Sequence, residues 1–227
     1  MRRWLITPLI AAIFAGFYIH TRLAAAKNVF RVGRWWARRQ MIVSGVRVRT
    51  IGNVPGPGPF VFVSNHQSLV DTPIMMGWLG AEFRFIAKDT LFKVPIIGMH
   101  LKRGGHLAVT REDARGALET LAAAERIIRE QHTSILVFAE GTRSAEGLQE
   151  FKSGAAHLAI QAGVPVVPVA LSGTAALLLR GEWATRAGNV TLAIGAPIPT
   201  TGLTRRDRDA LTLQIRNSVN EMLARSA

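Results

Sequence analysis

An imidazole five positions ahead of a carboxylate is the first pair in this chain that can move a proton. His66 and Asp71 lie in Val61-Phe62-Val63-Ser64-Asn65-His66-Gln67-Ser68-Leu69-Val70-Asp71, where an apolar, β-branched run stops abruptly in polar residues. A carboxylate bonded to one ring nitrogen fixes the tautomer and favours the imidazolium that forms when the other nitrogen takes a proton. That is a general base with its orienting partner. The competing reading is a histidine satisfied in the core and an aspartate capping a helix, the two never meeting. No G-x-S-x-G elbow and no Walker loop occurs. Ser68 sits between the pair, where neither neighbour can activate it, so the base is expected to deprotonate a substrate hydroxyl.

Two more polar clusters follow apolar runs. Thr110-Arg111-Glu112-Asp113 has the spacing of a capping box, which puts Arg111 in the first turn of a helix. A cation there opposes the helix dipole, and a bound phosphate would offset it. In Ala139-Glu140-Gly141-Thr142-Arg143-Ser144, Gly141 permits close backbone approach, Arg143 suits a phosphate and Glu140 suits a hydroxyl donor. Lys152 follows as a second cation. Alone, each cluster also reads as a solvated arginine or a mixed-charge turn. Together they describe a phosphate seat beside a general base.

The elements that must position these clusters alternate. Strands are expected near 42–51, 60–64, 83–87, 107–109, 135–138, 165–171 and 190–194, and helices near 71–79, 111–130, 153–162 and 204–225. Residues 88–105 read as irregular. This alternation predicts an α/β fold, a largely parallel twisted sheet flanked by helices, with sites at the carboxyl ends of the strands.

The N-terminal part differs in kind. Residues 1–70 carry ten Lys or Arg and no acid, and the chain's +13 charge is concentrated there. Such a surplus suits an anionic membrane or a nucleic acid. Trp4 to Ile19 is uncharged, but sixteen helical residues span only about 24 Å against a hydrocarbon core of about 30 Å. A signal peptide, a thin transmembrane anchor and one limb of a membrane-embedded helical pair all fit. Arg31, Arg34 and Arg38 at helical spacing, beside Trp35 and Trp36, favour a pair retained at anionic lipid. Basic residues on both flanks favour both ends on the cytoplasmic face. An N-terminal membrane-associated helical segment, 1–40, and an α/β domain, 41–227, are therefore expected. No nucleic-acid motif appears, and with no cysteine there is neither a disulfide framework nor a thiolate metal site.

Asn65-His66 through Asp71 resembles the N-H-x4-D block of the glycerolipid acyltransferases, in particular bacterial 1-acylglycerol-3-phosphate acyltransferases. Phe138-Ala139-Glu140-Gly141-Thr142-Arg143-Ser144 resembles their F-P-E-G-T-R-S block, and Val164-Pro165-Val166-Val167-Pro168-Val169 their V-P-I-V-P-V block. Gly105 to Arg111 stands where the family has G-x-x-F-I-D-R, with Thr110 in place of Asp and Ala139 in place of Pro. The resemblance implies an acyl-CoA or acyl-carrier-protein donor and a lysophospholipid acceptor, with no cofactor and no metal. It implies His66 as base and Asp71 as its partner. Arg111 and Arg143 would grip the acceptor phosphate and Glu140 and Gly141 would line its glycerol, with Thr142 and Lys152 in the same substrate-binding set. It also implies a helical pair docked on the cytoplasmic face of the inner membrane. Thr110 keeps open another acceptor, such as lyso-ornithine lipid. A non-catalytic lipid-binding protein is the alternative of another class.

Overall fold

The computed structural model describes residues 2–110, 113–144, 147–178, 182 and 184–226. Its centre is strand β2 (Val61–Ser64), buried along its whole length because the run carries no polar side chain until Ser64. Around it, β1 (Val46–Ile51), β3 (Phe83–Lys88), β4 (Leu107–Val109), β5 (Ser134–Phe138), β6 (Val166–Ser172) and β7 (Gly188–Ile194) complete a sheet in the order β1-β7-β6-β2-β5-β3-β4. Every neighbouring pair is parallel except β6 and β7. The strands from β6 to β4 therefore share one carboxyl edge, and β7 and β1 run against them. The fold is α/β with a mostly parallel sheet flanked by helices.

Alternation along β2 divides the core. Phe62 joins Phe83, Phe85 and Leu136 on one face, while Val61 and Val63 join Ile135 on the other. The first face is covered by α1 (Arg2–Leu23), α2 (Val29–Val43) and α3 (Asp71–Trp78). The second is covered by α5 (Ala114–Gln131), α6 (Gly154–Ala162) and α7 (Arg208–Ala224). Burying a side chain such as Phe62 contributes about 2–3 kcal/mol.

The N-terminal helices form a hairpin that shares this core. Phe14 and Phe17 lie against Trp36 at ring-centroid distances of 5.4 and 4.7 Å. Ile13, Phe17, Trp36 and Ala37 belong to the same buried cluster as Phe62. Arg34 Nη2 donates to Ala81 O at 2.7 Å, and Arg38 Nε donates to Gly77 O at 2.8 Å. The last carbonyls of a helix lack intrahelical partners, and Gly77 O and Met76 O, the latter taking Arg34 Nε at 3.4 Å, are two of these in α3, while Ala81 lies just beyond it. Arg34 is half-buried and Arg38 exposed, so each makes its main-chain bond from the surface. Among the described residues no helix is long and apolar enough to cross a membrane.

Two expected elements differ. Residues 88–105 are not irregular: a 3-10 turn at Asp89–Lys93 leads into α4 (Pro95–Arg103). Proline at the first helical position is favourable, and His100 and Leu101 turn inward. Nine residues give too little periodicity for the sequence pattern to reveal this helix. The helix expected from 111 begins at Ala114, because Asp113 is itself the N-cap, its side chain accepting from Arg115 N at 3.0 Å. Thr110 accepts from Asp113 N at its main-chain carbonyl, at 3.3 Å. Asp113, not Thr110, is therefore the residue that caps this helix.

Candidate active site

Leaving β2, the chain turns sharply through residues 65–70 into α3, which brings Asp71 back under the histidine. His66 Nδ1 and Asp71 Oδ2 are 2.7 Å apart, and the Asp71 side chain is wholly buried. A carboxylate only accepts, so Nδ1 carries the proton and Nε2 keeps its lone pair. Oδ2 also accepts from Gln67 N at 2.7 Å and Ser68 N at 2.9 Å, so one oxygen closes the turn and orients the ring. The reading in which histidine and aspartate never meet is excluded. The Phe138 ring stacks on the imidazole at 4.1 Å and 13°, covering one of its faces. Among the described residues Nε2 makes no hydrogen bond.

The adjacent strand supplies the second cluster. β2 and β5 pair in register, Ser64 beside Phe138, so the turn after β5 lies against the histidine. Gly141 adopts φ +69°, and a Cβ there would sit 3.0 Å from Lys152 Cε. The left-handed backbone favours glycine here, and a larger residue would also have to push aside the end of the Lys152 side chain lying across it. Thr142, Arg143 and Lys152 are exposed. Glu140 is placed differently from the residue pattern's expectation. It is 5% exposed, its Oε1 accepts from His66 N at 2.7 Å and its Oε2 from Gln149 N at 3.2 Å. Burial pushes its carboxyl above the usual range, and the two main-chain donors pull the other way.

The structure thus gathers His66, Asp71, Glu140, Gly141, Thr142, Arg143 and Lys152 at one edge. Arg111 lies outside the described residues. Asn65, which the sequence reading passed over, bonds both polar groups of Leu171 at 2.9 Å and ties the histidine turn to the end of β6. Its partner is 106 residues away, so no local pattern signals it. A small cavity of about 160 Å³ adjoins Gly141 and Lys152, lined by Ile86, Val109, Leu121 and Val137. A larger groove of about 820 Å³ between α1 and α4 is lined by none of these site residues. Among the described residues no three His, Cys, Asp or Glu side chains gather as a metal site.

A central parallel strand delivers a carboxylate-oriented histidine to its carboxyl edge, and the segment after the neighbouring strand brings an arginine and a lysine to the same edge. The known relatives give this arrangement its family. Residues 45–172 match the family model described as Acyltransferase. The chain is 36% identical over 156 residues to a chloroplastic 1-acyl-sn-glycerol-3-phosphate acyltransferase of Arabidopsis thaliana, covering 67% of this chain and 43% of that one. It is 34% identical over 178 residues to the human 1-acyl-sn-glycerol-3-phosphate acyltransferase alpha, covering 77% and 63%. Its fold superposes on the crystal structure of the 1-acyl-sn-glycerophosphate (LPA) acyltransferase PlsC of Thermotoga maritima with a TM-score of 0.74 at 25% identity, covering 97% and 94%. This chain belongs to the acyltransferase family. It spans under half the length of the Arabidopsis relative and 63% of the human one.

Proposed function

We propose that this chain is a membrane-bound O-acyltransferase. It transfers an acyl group from an acyl-CoA or acyl-carrier-protein thioester to the free hydroxyl of 1-acylglycerol-3-phosphate, forming phosphatidate. The observation that carries the reading is the 2.7 Å His66–Asp71 contact, with Nε2 left available at the edge that holds Arg143 and Lys152. The acceptor named for the relatives, 1-acyl-sn-glycerol-3-phosphate, supports the acceptor proposed here. In the proposed reaction, Nε2 takes the hydroxyl proton as the oxygen attacks the thioester carbonyl. The carbon–sulfur bond then breaks, and His66 returns the proton to the departing thiolate. Arg143 and Lys152 hold the acceptor phosphate, and Arg111 is proposed to join them. Phe138 limits the ring to one orientation.

The proposed seat of the protein is the cytoplasmic face of the inner membrane, held by the α1–α2 hairpin. Exposed Leu9, Tyr18, Ile19 and Leu23 on α1 and exposed Arg31 and Arg39 on α2 support it, since apolar and cationic side chains together suit an anionic bilayer surface.

The test supplies membranes containing the protein with labelled acyl-CoA or acyl-carrier protein and a panel of lyso-lipids, lysophosphatidate and lyso-ornithine lipid among them. Wild type is expected to prefer the phosphate-bearing acceptor, and His66→Ala to lose about 10²–10⁴ in rate. Near-full activity of His66→Ala would rule out the base. Binding without turnover by wild type would favour a non-catalytic lipid-binding protein instead.

A further inference from the structure

We propose that Glu140 is a positioning residue, whose carboxylate carries the main chain of His66 rather than a hydroxyl of the substrate. This deepens the reaction proposed above and rests on it.

The reason lies in how the β2–β5 ladder ends. Ala139 N donates to Ser64 O at 3.1 Å, a regular parallel rung. The next rung would run from His66 N to Ala139 O. That carbonyl instead takes Lys152 N at 2.9 Å, so the histidine N–H has lost its ladder partner. Glu140 Oε1 fills the vacancy at 2.7 Å. On the other side of the same residue, His66 O accepts from Ser144 N at 2.9 Å. Both main-chain polar groups of His66 are therefore held by the turn at residues 140–144, and the aim of the imidazole follows that turn. The second oxygen, Oε2, takes Gln149 N at 3.2 Å and ties the returning limb of the same loop. A charged acceptor suits this place, because one side chain must answer two N–H groups and a carboxylate offers two acceptor oxygens with no donor. With each oxygen taking a main-chain N–H and the residue almost wholly buried, little of the carboxylate is left open to a substrate hydroxyl.

A glutamine at this position separates the roles. Its amide offers one oxygen and one NH2, so either His66 N or Gln149 N must face another donor. Glu140→Gln is expected to lower kcat roughly 10- to 100-fold, since small misplacement of a reacting group is costly. KM for the lyso-lipid and for the thioester should stay within about twofold, because no substrate contact is removed. Glu140→Asp keeps the charge but falls one methylene short, and should show the same split. A second readout does not use activity. In protein labelled with 15N-histidine, the His66 amide signal is assigned by its loss in His66→Ala. It is expected to move upfield in Glu140→Gln as the short bond to a charged acceptor is lost. A raised acceptor KM at unchanged kcat, or an unmoved His66 amide, overturns the proposal. If wild type acylates no acceptor, the reaction proposed above falls, and the amide signal alone decides whether Glu140 holds His66.

Discussion

Replacing Asp71 with asparagine isolates what the carboxylate charge does for His66. The shape is kept, and one carbonyl oxygen can still accept from Gln67 N and Ser68 N, so the turn has reason to survive. What disappears is the negative charge beside Nδ1, which lies 2.7 Å from Oδ2. In the transition state the ring is becoming an imidazolium. Its charge centre and that of the carboxylate are then about 4 Å apart, worth about 4 kcal/mol at an effective dielectric near 20. At about 1.4 kcal/mol per decade that is roughly a 10³-fold loss in kcat. Because Asp71 is wholly buried beneath the ring, KM for the lyso-lipid should barely change. The assay is acyl transfer to lysophosphatidate under saturating donor, with unfolding by urea followed in parallel. In a His66→Ala background the Asp71→Asn change should add little, since the two act as one unit. A folded Asp71→Asn protein within tenfold of wild type, or one whose loss adds fully to that of His66→Ala, would refute the pairing as the source of catalysis.

Two further outcomes follow from groups away from the base. Burial first lowers His100 to about 4 and His106 to about 3; Arg84 adds to this for His100, and for His106 the protonation of His100 below about 4 and then Arg84 do so. Their folded values lie below the ordinary 6.5, so as pH falls below it the unfolded chain takes protons that the folded one refuses. Stability should fall by about 1 kcal/mol per pH unit for each such histidine between pH 7 and 5, steepening toward about 1.4 at the lower end. Urea midpoints between pH 7 and 5 should show that decline, and His100→Leu should reduce the slope by one histidine's share; an unchanged slope would contradict the assignment. Arg34→Ala removes the donor to Ala81 O and should cost about 1–2 kcal/mol of stability, measured by urea unfolding. Its effect on binding to anionic vesicles should be smaller than that of Arg31→Ala combined with Arg39→Ala. A variant as stable as wild type but defective on vesicles would reverse that reading.

What could be read along the chain is what short-range physics decides. The β-branched run Val61–Val63 had to be a buried strand, and the stripe through Leu121, Ala124 and Ile128 had to be one face of a helix, because side-chain period is set by the backbone alone. The spacing of His66 and Asp71 allowed their contact, since both ends belong to one turn, and the fold closed it. Thr110–Asp113 shows the limit of such spacing: either residue could have capped the helix, and the chain's path after β4 chose Asp113. Strand order, by contrast, depends on which faces bury one another across the whole molecule. It set β5 beside β2, brought Glu140 to His66 across 74 residues, and ended the ladder so that a side chain had to replace a carbonyl. It likewise brought Arg34 and Arg38 within reach of main-chain carbonyls at and just beyond the end of α3. A residue's type and neighbours in sequence say which bonds it can make. Only the packed fold decides which partner comes within reach, because those contacts join segments that no local period relates.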